Sequence, residues 1–171
     1  MESYISKIIS KKSLTHDVIE IDIKKPQDFT YIAGQYVQIV IPTDDGFVRR
    51  SYSLSSAPHQ ETLSFCIKVI PEGVGSQYIN SLNDGEEVEF RGPVGHFVPS
   101  QEHNNHYFIA TGVGISPMIG MINDLLHKNT EQKVHLLFGL RFEDDLIYSE
   151  LFETLDNAHE NFSYQYTLTR P

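Results

Sequence analysis

Apolar and polar residues alternate through the first half of the chain. Ile5, Ile8 and Ile9 open one strand, and Val18, Ile19, Ile21 and Ile23 mark a second, close to a period of two. Tyr36, Val37, Ile39, Val40 and Ile41 predict a third strand, ended by Pro42. A turn at Asp44-Asp45-Gly46 leads to a fourth strand over residues 48–54, and a fifth covers 63–70. A short helix is expected from Ser76 to about Leu82, followed by a turn at Asn83-Asp84-Gly85 and a sixth strand over 88–91. Six closely spaced strands with turn residues between them predict an antiparallel β-barrel.

The pattern changes near Ser100. Residues 101–105 are polar and read as a linker, after which strands alternate with helices. Residues 107–111 form a strand, and Met118, Ile119, Met121, Ile122, Leu125 and Leu126 follow helical spacing. Ser116-Pro117 reads as the N-cap and first residue of that helix, since proline needs no N–H there. Residues 134–138 predict a second strand, 146–155 a second helix and 162–168 a third strand. A β-α-β-α-β run predicts a parallel sheet with right-handed crossovers. The fold class is therefore two-domain, β plus α/β: a six-stranded antiparallel β-barrel at residues 1–100, then a partial parallel α/β lobe at 106–171.

Composition narrows the function classes. The 171 residues carry a formal net charge of −10, which opposes non-specific binding to nucleic acid or anionic membrane. Cys66 is the only cysteine, so the chain can form no internal disulfide and cannot hold an iron–sulfur cluster on four of its own cysteines. An unpaired thiol, no signal-peptide pattern at Met1-Glu2-Ser3-Tyr4 and no run of roughly 20 apolar residues together point to a cytoplasmic protein without a membrane span. The eight histidines show no metal-ligand spacing, so no metal site is expected.

Several local motifs carry candidate chemistry. In Arg49-Arg50-Ser51-Tyr52-Ser53-Leu54-Ser55-Ser56, strand alternation puts Arg50 and Tyr52 on one face and Ser53 on the other. A guanidinium clamps a phosphate, and a phenol ring beside it covers an aromatic ring system. The same octapeptide also fits a half-exposed strand with an ordinary arginine. Gly73-Val74-Gly75-Ser76 opens a helix, where free N–H groups receive a phosphate; it also fits a plain glycine turn capped by Ser76. Arg91-Gly92-Pro93-Val94-Gly95 reads as a sharp turn leaving the barrel. Thr111-Gly112-Val113-Gly114-Ile115-Ser116-Pro117 joins a strand end to a helix, the place where open α/β sheets bind dinucleotides, without being a full G-x-G-x-x-G fingerprint. Phe138-Gly139-Leu140-Arg141 ends the next strand.

Taken in order, R-x-Y-S, G-x-x-S, G-P-x-G, G-x-G-x-x-P and F-G-x-R resemble the ferredoxin–NADP⁺ reductase superfamily, from about Tyr4 to Pro171. The likeness is to the flavin-and-nicotinamide modules of oxygenase reductases and bacterial flavin reductases. The resemblance implies that Arg50 contacts the flavin pyrophosphate, that Tyr52 lies against the isoalloxazine ring and that Ser53 lies near its N5. It implies that Ile67 and Val69 belong to the strand whose backbone passes the flavin. Val74, Gly75 and Ser76 match the phosphate-binding helix start. Gly112, Gly114 and Pro117 match the nicotinamide-cofactor loop, and Gly139 and Arg141 the segment meeting its adenosine half. Val113 stands where many relatives have threonine.

The implied cofactor is FAD, with FMN as an alternative, and the implied donor is NADH or NADPH. Glu143, Asp144 and Asp145 beside Arg141 disfavour an extra phosphate and so favour NADH. The implied reaction carries hydride from NAD(P)H onto the flavin and electrons onward to a separate acceptor, such as an iron–sulfur protein or oxygenase component. Three other readings fit the same residues: a reductase of free flavin, a flavin-binding interaction module without hydride transfer, and a barrel with no cofactor. The chain stops at Thr167-Leu168-Thr169-Arg170-Pro171, where relatives continue with more of the nicotinamide lobe. The lobe is therefore read as C-terminally truncated, with nicotinamide binding more affected than flavin binding. Its open sheet edge invites self-association or a partner that completes it.

Overall fold

A computed structural model describes residues 1–100, 102, 105–128 and 131–170. Residues 101, 103 and 104 of the expected linker, and Pro171 of the final motif, lie outside them.

The first half forms one six-stranded antiparallel sheet. Its strands are β1 (Glu2–Ser13), β2 (Val18–Lys24), β3 (Tyr36–Thr43), β4 (Gly46–Ser53), β5 (Thr62–Lys68) and β6 (Glu87–Val94), in the order β4-β3-β6-β1-β2-β5. Helix α1 (Val74–Ser81) lies between β5 and β6 in the chain. The period-two pattern explains the packing. Ile19, Ile21 and Ile23 of β2 stand opposite Ile67, Phe65 and Leu63 of β5, and with Val37, Ile39, Val88 and Phe90 they share one buried core. Full burial of each such side chain contributes roughly 1.5–3 kcal/mol. The sheet curls until its edge strands β4 and β5 come near each other. No ladder joins them; beyond β4, the Ser55 N–H donates to Ser64 O at 2.8 Å.

Three local expectations need correction. Pro42 does not end β3, which runs on to Thr43 and pairs Pro42 with Phe47 of β4. The pairing of β3 with β6 stops at Val40, so Pro42 sits where the strand has one neighbour and a missing N–H is tolerated. Gly92, Pro93 and Val94 are not a turn but the end of β6, with Val94 paired to Tyr36. The chain bends instead at Gly95, whose φ is +112°. Finally, α1 starts at Val74 with Gly73 at the N-cap, so Ser76 caps nothing. Its hydroxyl instead accepts the Ile70 N–H at 3.0 Å and folds the β5–α1 connection onto the helix.

The second half holds β7 (Asn105–Thr111), α2 (Ser116–His127), β8 (Lys133–Leu140), α3 (Ser149–Ala158) and β9 (Phe162–Leu168). The three strands pair in parallel in the order β7-β8-β9. Phe108, Leu136 and Phe138 of the sheet are buried with Ile119 and Ile122 of α2 and Phe152 of α3. Val18 and Cys66 point away from the barrel core and join this second cluster. The β2–β5 outer surface is therefore one side of the junction between barrel and lobe. A second tie comes from Tyr148, which precedes α3 with a left-handed φ of 63° and donates its hydroxyl to Glu20 Oε2 at 2.6 Å. That bond to a carboxylate offsets a backbone conformation that costs roughly 1–2 kcal/mol. Burial raises the Glu20 carboxyl above its ordinary range and pushes the neighbouring Cys66 thiol up to about 11.

Helix α2 meets the barrel more closely still. A Cβ on Gly120 would lie 2.6 Å from Ser56 O and 3.2 Å from Leu54 O, so only glycine lets the helix rest on this backbone. At the start of the same helix the Ser116 hydroxyl donates to Ser53 O at 3.0 Å. Ser116 is thus not an N-cap. A 3₁₀ turn over Gly112–Ile115 comes first, and Ser116 is the first α-helical residue, with its side chain turned to the barrel. The other helix also starts late: a 3₁₀ turn over Glu143–Asp145 comes before α3, which begins at Ser149 rather than at Leu146.

The contrast between two glycines tests this packing. Gly120→Ala is expected to lower the unfolding free energy by about 1–3 kcal/mol, the usual cost of overpacking. Gly114→Ala, where an added Cβ meets nothing within 4 Å, should stay within about 0.5 kcal/mol. Equal losses in urea unfolding would contradict the close approach of α2.

Candidate functional site

The first site forms where β4 meets α1. Arg50 and Tyr52 are two residues apart on β4 and share a face, and both lie over Gly75 in the first turn of α1. A Cβ there would come 2.8 Å from Arg50 Cγ and would overlap the Tyr52 hydroxyl. The absence of a side chain at position 75 is what lets the Arg50 stem and the Tyr52 hydroxyl sit directly above the helix start, while the Arg50 guanidinium donates from Nη1 to Arg49 O at 2.9 Å. The first-turn N–H groups of α1 at Val74, Gly75 and Ser76 have no acceptor within the helix. Half-exposed Val74 sits at the mouth, while Gly75 and Ser76 are buried. The Ser76 hydroxyl is occupied by the β5–α1 connection, leaving its backbone N–H as the group it can offer. Burial raises the Tyr52 phenol, with Arg50 opposing, so the ring is a neutral surface at neutral pH. Arg49 faces the other way, its guanidinium carbon 5.3 Å from the Phe47 ring centre.

Ser53 ends β4 and connects the two halves through its carbonyl and Ser116. Ile67 points into the barrel core, so only its backbone is available to a ligand. The Val69 N–H is already taken by Asp17 O at 2.7 Å. That engagement limits how the β5 backbone can meet a ligand.

The second site is a cavity of about 630 Å³ between barrel and lobe. It opens at the carboxyl ends of the parallel strands, through Thr111 of β7, Gly139 and Leu140 of β8, and Thr167 of β9. Gly112, with φ +50°, turns the chain out of β7 and lines the cavity with Val113. Arg141 lines it as well. Gly114 and Pro117 do not: Gly114 faces open space and Pro117 lies in the first turn of α2. Of the acidic run 143–145 only Asp145 reaches the cavity, and its Oδ2 accepts the Phe142 N–H at 3.2 Å.

The barrel side of this cavity was not legible from motifs. Thr15, His16, Asp17 and Lys68 form it. Nothing in sequence links residue 17 to residue 68; the β2–β5 register, which pairs Val18 with Lys68, brings them together. Lys68 Nζ lies 2.6 Å from Asp17 Oδ2, and this contact holds the Asp17 carboxyl below the usual carboxylate range. Among the described residues no group of three or more His, Cys, Asp or Glu side chains is placed to hold a metal ion. No helix among them is long and apolar enough to cross a membrane.

The barrel and the parallel lobe each match an oxidoreductase family model. An oxidoreductase FAD-binding domain matches residues 6–98, and an oxidoreductase NAD-binding domain matches residues 108–171. The chain belongs to the ferredoxin–NADP⁺ reductase superfamily. It is 30% identical to ferredoxin–NADP reductase B of Sorangium cellulosum (strain So ce56), over 99% of this chain and 71% of that protein. It is 28% identical to the toluate 1,2-dioxygenase electron transfer component of Pseudomonas putida, over 98% of this chain and 50% of that one. The chain thus spans between half and three quarters of the length of these two curated relatives. A ferredoxin NADP⁺ reductase from Neisseria gonorrhoeae, solved with bound FAD and NADP, superposes with a TM-score of 0.90, at 22% identity, over 100% of this chain and 70% of that one. At that identity the superposition speaks for the fold. Within the superfamily, the barrel is the FAD-binding part and the parallel lobe the NAD-binding part.

Gly75 offers a test of the first site that separates folding from binding. The Tyr52 ring and the Arg50 stem must both shift, at about 1–3 kcal/mol, and alanine's better helix propensity returns about 1 kcal/mol, so Gly75→Ala is expected to lose no more than about 2 kcal/mol in unfolding free energy. It should nevertheless purify with most of its flavin lost, because the new methyl displaces Arg50 and Tyr52. Full occupancy by absorption at the flavin bands would remove this contact from the site.

Proposed function

We propose that the protein is an NAD(P)H-dependent flavoprotein reductase that passes electrons to a separate acceptor, such as an iron–sulfur protein or an oxygenase component. The carrying observation is the Ser116–Ser53 bond, which joins the start of the lobe's helix to the end of the strand that bears Arg50 and Tyr52. The reading divides the chain at residues 1–100 and 106–171 into a flavin half and a nicotinamide half, working in the cytoplasm.

The residues present fit the two cofactors. Gly75 leaves a cradle above α1 that any side chain would fill, beside one guanidinium, one neutral phenol and the free N–H groups of a helix start. In this reading Arg50 and the backbone N–H groups of Val74, Gly75 and Ser76 hold the flavin phosphates. Tyr52 covers the ring system, and Ser53 borders its reactive edge. Ile67 supplies backbone along β5 and Val69 just beyond its end. Gly112 and Gly114, with the helix begun by Ser116 and Pro117, guide the dinucleotide, and Gly139 and Arg141 meet its adenosine half. When bound, the flavin supplies an acceptor for the nicotinamide hydride and a donor of one or two electrons. The protein's own part is orientation and exclusion of water, with no acid or base required.

A reductase of free flavin would use the same lobe with a looser hold on the flavin. Tight flavin retention on purification would favour the electron-transfer reading, and loss of flavin on purification the alternative.

Arg50→Ala is expected to fold and to bind flavin roughly 10-fold to 150-fold more weakly, the loss of about 1.5–3 kcal/mol from one charge-assisted contact. Arg49→Ala, facing Phe47, should bind normally. Tyr52→Ala should weaken binding and brighten the emission of whatever flavin remains, since a stacked phenol quenches it. Fluorescence titration of the apoprotein measures all three. Equal affinities for the parent and Arg50→Ala would overturn the assignment.

A further inference from the structure

The barrel contributes charge to the nucleotide cavity in an unequal pair. Asp17 is fixed: its carbonyl accepts the Val69 N–H at 2.7 Å, its N–H donates to Thr15 Oγ1 at 3.3 Å, and the Thr15 hydroxyl donates to Oδ1 at 3.2 Å. Lys68 reaches Oδ2 at 2.6 Å from a flexible stem, its side chain 53% exposed, and among the described residues no other carboxylate lies within 4 Å of its ammonium. His16 approaches the same Oδ2 at 3.6 Å from the solvent side.

The charges around the cavity therefore balance. Lys68 and Arg141 bring two positive charges, Asp17 and Asp145 two negative ones, and the sum is zero with His16 neutral. A sphere of 630 Å³ is about 11 Å across, close to the Debye length of roughly 10 Å at 0.1 M salt. An additional phosphate placed anywhere within it feels Asp17. Of the two carboxylates, Asp145 accepts the Phe142 N–H in its own 3₁₀ turn, whereas Asp17 is set directly against the cavity's barrel-side ammonium.

We propose that Asp17 is a specificity-determining residue: by holding Lys68 in an ion pair on the wall of the nucleotide cavity, it withholds the cation that a 2′-phosphorylated nucleotide needs, and so favours NADH over NADPH. This rests on the reading of the cavity as the seat of the adenosine half. The nucleotide with the extra phosphate must either draw Lys68 away from Asp17 or lie near a carboxylate with no compensating charge. The nucleotide lacking it meets a cavity that is already neutral.

The test uses two adenosine probes, 5′-ADP and adenosine 2′,5′-bisphosphate, titrated calorimetrically into the flavin-loaded 171-residue chain at low salt. The parent is expected to bind the bisphosphate no better than 5′-ADP. Asp17→Asn, which keeps the turn's hydrogen bonds, should shift the preference towards the bisphosphate by about fivefold, and 0.5 M salt should erase the shift. Lys68→Met should move the preference about as far the other way, and it gives an answer even if Asp17→Asn fails to fold. The double variant restores a neutral cavity and should return the parent's preference. An unchanged ratio in both single variants, with both probes still bound, overturns the role of Asp17 alone. No binding of either probe to the parent overturns the cavity assignment together with it.

Discussion

One contact organises this molecule: helix α2 lying directly on the backbone that follows β4. It exists because residue 120 has no side chain, and any other residue would drive a carbon into Ser56 O. Around it the remaining ties fall into place. Ser116 bonds the barrel at the start of the helix, Val18 and Cys66 fill the lobe's core from the barrel side, and Tyr148 reaches Glu20. Each is modest. Together they give the parallel lobe one position over the barrel, and no single hinge peptide sets it.

That position is what a two-cofactor reductase needs. Hydride transfer tolerates little misplacement, and about 1 Å can cost roughly 100-fold in rate. The strand bearing Arg50 and Tyr52 ends at Ser53, and the Ser53 carbonyl is bonded to the first residue of the helix that the G-x-G loop precedes. The two binding regions are thus coupled through one peptide group and one hydroxyl. Backbone carbonyls and a glycine, which have few ways to move, do the positioning.

Much of this was legible in the residues. The alternating apolar pattern located all six barrel strands, and helical spacing located α2, because burial on one face leaves a periodic trace. The pairing of Arg50 with Tyr52 on one face followed from strand geometry. What stayed hidden depended on register or on tertiary approach. Ser116 and Ser76 both read as helix caps, since serine before a helix usually is one, yet the Ser116 hydroxyl bonds the barrel at Ser53 and the Ser76 hydroxyl bonds Ile70 in the connection before its helix. Asp17 and Lys68 are 51 residues apart, and only the β2–β5 ladder puts them on the same wall. Pro42 and Pro93 read as strand ends because a missing N–H disfavours a central strand; β3 and β6 nonetheless include them.

The most direct measurement of the central claim is anaerobic stopped-flow reduction of the bound flavin by NADH, on the parent and on Gly120→Ala. Flavin absorbance should bleach in a first-order phase that saturates with nucleotide concentration. In Gly120→Ala the flavin should remain bound while the limiting rate falls by roughly tenfold or more, because the lobe is displaced over an intact flavin site. Equal limiting rates in the two proteins, or bleaching that never saturates, would contradict the claim that the seat of α2 on the barrel sets the geometry of hydride transfer.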